Sequence, residues 1–130
     1  MGMFNTGRDF IAQKVIGGTG QIFDATHAYV CVGDSSAAFA ATQTDLQAAT
    51  NKFRKIVDEG YPTCIGNLLA FKSTFTSAEA NFDWREWGIS NGAAAGSGVV
   101  MLNRLVENNG TKVAGQTWVF EGDLTIAIGS

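Results

Sequence analysis

The residue whose surroundings most call for chemistry is Glu86, a carboxylate set among rings in the run Phe82-Asp-Trp-Arg-Glu-Trp-Gly-Ile89. Read as a strand, this run puts Glu86 on the face of Phe82 and Trp84, half-buried between aromatic rings. A carboxylate there needs a charged or hydrogen-bonding partner. Arg54 and Arg104 are the candidates. Work as a glycosidase acid or base would require a second acid in the same cleft, and Asp83 falls on the opposite face. The expectation is a structural ion pair.

The other reactive residues assemble no catalytic set. His27 is the lone histidine and stands just before an apolar strand, and no Gly-x-Ser-x-Gly elbow precedes a helix. It reads as a loop-anchoring residue. Cys31 and Cys64 show neither a Cys-x-x-Cys spacing nor a neighbouring His, so they are expected to be two reduced, buried thiols. Two Cys and one His fall short of a zinc site drawn from those residues. Gly17-Gly18-Thr19-Gly20 follows a helical pattern instead of a strand, which makes it a helix stop and no dinucleotide turn. No catalytic residue, cofactor or metal is expected.

The aromatic residues divide by phase. Trp84 and Trp118 alternate in step with other apolar residues and belong to a core. Trp87 shares the opposite strand face with Ile89, so Trp87, Ile89 and Tyr61 form a candidate contact surface. Exposed, the same rings could serve as a carbohydrate platform.

These residues must be positioned by elements the sequence also outlines. Phe4, Arg8, Ile11 and Val15 have helical spacing, which predicts a helix over 4–16 closed by Gly17-Gly18. Strands are expected at 28–33, 53–57, 68–75, 82–89, 99–106 and 117–128. Thr44 and Gln47 form a capping box that predicts a further short helix, Asp45–Asn51. The turn 58–62 carries the only proline, and the loop Ser90–Gly98 is rich in glycine. In the last strand Trp118, Phe120, Leu124, Ile126 and Ile128 alternate with Thr117, Val119, Glu121, Asp123 and Thr125, with Gly122 as a bulge or close-contact point. The sum is a single mainly β domain over 1–130. Its expected form is an antiparallel β-sandwich or open barrel with an N-terminal helix and one further short helix.

Composition narrows the function classes. The chain has 130 residues, 45% hydrophobic and 16% charged, the last well below the ~25% usual in globular domains. Nine basic against twelve acidic residues give a net charge of −3 with no block of like charge, which argues against a nucleic-acid binder. No apolar run approaches the ~20 residues of a membrane span, and the first residues lack the pattern of a secretory signal. Met1-Gly2 with Thr6 fits the outline of a myristoylation start, but nothing else points to a membrane. A soluble protein made in a cytoplasm is expected. Its sparse charge and candidate aromatic surface favour association of copies, as a ring or trimer.

The order of motifs adds a resemblance. The chain runs from a helix to Ala28-Tyr-Val-Cys-Val-Gly-Asp-Ser35, Thr44-Asp-Leu46, Phe53-Arg-Lys55 and Gly66-Asn67. It continues through Ala80-Asn-Phe-Asp-Trp-Arg-Glu-Trp-Gly-Ile89, a glycine loop, Met101-Leu-Asn-Arg104, Gly110-Thr-Lys112 and an alternating last strand. This resembles small structural proteins of tailed bacteriophages. It is also similar to the N-terminal domain of phage tail-collar fibre proteins, where a helix, a Val-Gly-Asp-Gly turn, an Arg strand, an Arg-Glu-Ile-Gly-Leu-Phe strand and an apolar last strand come in the same order. The likeness covers roughly residues 4 to 128. It implies a non-enzymatic virion component that binds itself and other phage virion proteins, assembled into the virion from the host cytoplasm. The tail fibre, collar or baseplate adaptor role is the first expectation, because the collar-fibre likeness is the more specific cue. Capsid decoration is the alternative, and a host-glycan-binding module the second.

Overall fold

The computed structural model describes residues 2–127 and shows one helix and eight strands in two antiparallel sheets. The strands are β1 (Gly2–Met3), β2 (Tyr29–Gly33), β3 (Lys52–Ile56), β4 (Thr63–Ile65), β5 (Leu68–Phe75), β6 (Glu86–Ser90), β7 (Asn103–Val106) and β8 (Trp118–Thr125); the helix α1 is Asn5–Val15. Five strands form one sheet in the order β1-β7-β6-β2-β3, and three form the other in the order β4-β5-β8. The chain is thus a mainly β protein with the layers of a sandwich. Ile128, the last residue of the expected alternation, lies outside the described residues.

The core fills the space between the sheets. Val30 and Val32 of β2 and Trp87 and Ile89 of β6 meet Phe71 and Phe75 of β5 and Leu124 of β8. The alternation expected of β8 holds for its inward side: Gly122 and Leu124 are buried and Trp118 and Phe120 pack against the core, while Val119, Glu121, Asp123 and Thr125 are exposed. Ile126 departs from the expectation. It lies past the end of β8 and is half exposed, because the pairing with β5 runs out at Leu68. The register through Gly122, opposite Phe71, is unbroken, so this glycine marks a close approach and no bulge.

The outer face of the five-stranded sheet is covered as well. Cys31, with Phe4, Leu46 and Met101, makes a second apolar cluster against which Tyr29 and Phe39 pack. The cover comes from the long irregular segment 34–51. The short helix expected over Asp45–Asn51 does not form. The backbone N–H groups of Gln47 and Ala48, which a helical first turn would leave free, are taken by the Glu86 carboxylate from a distant strand. That tertiary demand outweighs the local capping signal.

A second correction concerns strand phase. Residues 82–85 are not a continuous strand; Asp83 makes only an isolated bridge to Thr111. The period of two is broken between Trp84 and Glu86, so Trp84 and Trp87 enter the same core. Both indoles contact Phe120, with ring centroids 5.9 and 5.4 Å apart.

Candidate interaction surface

The Glu86 carboxylate is the centre of the polar layer beneath segment 34–51. Arg104 Nε donates to its Oε1 at 2.6 Å, and both side chains are fully buried. Gln47 N donates to the same oxygen at 2.8 Å, and Ala48 N and Ser35 N donate to Oε2 at 2.9 and 3.3 Å. Arg104 Nη1 reaches Gln43 Oε1 of the same segment. Its Nη2 has no hydrogen-bond partner among the described residues, so the guanidinium depends on the carboxylate for neutralisation. Gly33, opposite Glu86 in the register, leaves the space: a Cβ there would collide with Oε2.

Arg54, the other expected partner, goes elsewhere. Its Nη1 donates to Ser90 Oγ at 2.7 Å and to the Gly92 carbonyl, and its Nη2 to Asp45 Oδ1 at 3.1 Å. Arg54 and Arg104 therefore tie the same segment at two points. With both carboxylate oxygens engaged and no exposure, Glu86 is a fastener and presents no atom to a substrate.

The expected contact surface of Trp87 and Ile89 does not exist. Trp87 is 4% exposed and Ile89 fully buried, because β6 is a central strand covered on both sides. Tyr61 is only partly exposed; its ring packs against the core and lies 5.3 Å from Lys72 Nζ. Neither a carbohydrate platform nor an interface can be built from Trp87. The thiols also divide: Cys31 is buried, which pushes its pKa up to about 12, while Cys64 on the edge strand β4 is exposed. His27 Nδ1 lies 2.6 Å from Asp24 Oδ1 within the loop before β2, and that bond holds the Asp24 carboxyl below its ordinary value.

The exposed apolar side chains gather at another place. A five-stranded layer facing a three-stranded one leaves a flank uncovered, and α1 lies there with Gly7 against the Leu102 backbone, where a Cβ would not fit. The helix does not close the flank. A groove of about 450 Å³ remains between Phe10, Ile11, Lys14 and Val15 of α1, Ile22 and Phe23 beyond it, and Cys64, Leu69 and Phe71 of the smaller sheet. An adjoining hollow of about 280 Å³ shares Ile11, Leu69, Leu102 and Ile126 with it and brings in Met3 and Arg8. Of the groove's lining residues Val15 is 80% exposed, and Ile22 and Ile126 about half exposed. Single exposed apolar residues are ordinary, but several at one concave site make a candidate interaction surface.

Sequence reasoning missed this surface and one further residue. Val15 and Ile16, apolar up to the Gly17-Gly18 stop, were the available signal for the groove. Lys112 is buried with Nζ donating to the Thr76 carbonyl at 2.7 Å and Asn81 Oδ1 at 2.8 Å, joining two loops at the end of the sandwich. Nothing in its neighbourhood, Gly110-Thr-Lys112, distinguishes it from a solvated lysine. Comparison with protein-family models, curated proteins and solved structures finds no match to this chain.

Proposed function

We propose that the protein is a non-enzymatic structural component of a tailed-bacteriophage virion, acting as an adaptor at the tail fibre, collar or baseplate. The observation that carries the reading is the open apolar groove between α1 and the smaller sheet, beside a sandwich whose larger sheet is covered on both faces. It is supported by the order of motifs shared with the collar-fibre domain, from the Val-Gly-Asp turn to the alternating last strand. A sandwich whose buried carboxylate, Glu86, is spent on fastening a loop suits a part that holds position. Binding of other virion proteins, and association of copies as a trimer, would use the groove flank, since Trp87 and Ile89 are interior.

Purified virions test the reading. The protein should co-purify with particles through a density gradient, in tens of copies or fewer on a stained gel. Abundance approaching that of the major capsid protein would move it to the head as a decoration protein. Absence from particles would overturn the structural role.

A further inference from the structure

Resting on that attachment reading, we propose that the groove takes an extended apolar segment of a partner protein that carries carboxylates, held along the free edge of β4. Three features of the site select this occupant. The first is charge: the charged residues lining the groove and its adjoining hollow are Lys14 and Arg8, both cations, in a chain whose net charge is −3. Lys14 Nζ spends two of its donors on the Gly18 and Gly20 carbonyls, which leaves the third for a further acceptor. Arg8 Nη2 donates to Asn5 Oδ1, and the rest of its fork is exposed. The two cations are six positions apart on α1, about 9 Å along its axis, with Lys14 at the groove and Arg8 at the adjoining hollow.

The second feature is the edge. Among the described residues β4 pairs with β5 alone, so its outward backbone groups are a template for another strand. The third is chemical character: Phe10, Ile11, Leu69 and Phe71 offer apolar walls to alternate side chains of a strand lying on that edge. A free fatty acid would satisfy the walls and a cation, but not the hydrogen-bonding groups of β4. A protein segment satisfies all three.

Cys64 provides the readout, since its exposed thiol lines the groove while Cys31 is buried. The full chain is alkylated with iodoacetamide in the presence of synthetic peptides of about eight residues, with leucine at alternate positions and glutamate at two of those between. The same peptide with lysine for glutamate, one with proline at the strand-pairing positions, and sodium decanoate are the comparisons. The glutamate peptide should slow alkylation of Cys64, the lysine peptide should need about fivefold more to do so, and the proline peptide should fail. In the double variant R8E/K14E the preference between glutamate and lysine should reverse. No protection by the glutamate peptide overturns the proposal, as does equal protection by both charged peptides. Protection by the proline peptide or by decanoate in its place has the same effect. Virion incorporation is scored separately: a chain found in particles that ignores the peptides refutes this inference alone, and a chain that binds them but is missing from particles refutes only the attachment reading.

Discussion

Gly122 of β8 lies under the indole of Trp87: a Cβ at position 122 would stand 2.6 Å from Trp87 Cζ3 and within 3.2 Å of two more ring atoms. The two sheets touch through this contact, and the missing side chain on one is what admits the large ring of the other. Gly122→Ala should therefore overpack the core and cost about 1–3 kcal/mol in urea melts. In a Trp87→Phe background the smaller ring makes room, and the added penalty of the alanine should fall to less than half. An equal penalty in both backgrounds would place the strain somewhere other than this contact.

The Glu86 fastener predicts a split between two neighbouring acids. Glu86→Gln keeps the shape but leaves Arg104 as an uncompensated buried charge, a loss of about 3–5 kcal/mol. Asp83→Asn acts on a side chain nearly half exposed and should change stability far less. Amide hydrogen exchange at Gln47 and Ala48, whose N–H groups the carboxylate accepts, should accelerate in Glu86→Gln beyond the change in global stability.

Lys112→Met removes the ammonium and leaves the Thr76 carbonyl and Asn81 Oδ1 without the donor they share. A cost of about 1–3 kcal/mol is expected in the same melts, because buried acceptors lose their bonds while the apolar stem is retained. A neutral result would mean that Lys112 contributes only its stem.

The carboxylates give opposite pH dependences. The Thr76 backbone N–H, followed by Lys55, holds Glu79 below its ordinary value, so its stabilisation is present above the unfolded-state pKa and lost as pH falls through the folded one. Glu121 is raised, chiefly by its hydrogen bond with Asp123 on the same exposed face of β8. Its contribution is present below the unfolded-state pKa and lost as pH rises through the folded one. Carboxyl NMR titration should show Glu121 titrating at lower pH in Asp123→Asn, and Glu79 at higher pH in Lys55→Met.

Native alkylation at mild alkaline pH should modify Cys64 and spare Cys31, whose thiol burial holds protonated; both should react in denaturant. Modification of Cys31 in the native protein would show that segment 34–51 opens on the timescale of the reaction.

What the sequence determined by itself was whatever a local period could encode. The spacing of Phe4, Ile11 and Val15 made α1, alternation made β5 and β8, and the apolar run through Cys31 made the central strand β2. The need of Glu86 for a cationic partner was also legible, because a carboxylate among rings must be neutralised wherever it sits. Only the tertiary structure decided that Arg104 answers it while Arg54 holds Asp45, since both arginines satisfy the same requirement from sequence. It also turned the capping box at Thr44 into an irregular strap, by bringing a stronger acceptor from β6 to the N–H groups of Gln47 and Ala48. The phase of Trp87 was lost for a related reason: the break at 82–85 follows from packing Trp84 against Phe75, which no period of two can record. The groove arises from one sheet having five strands and the other three, a mismatch fixed by long-range pairing.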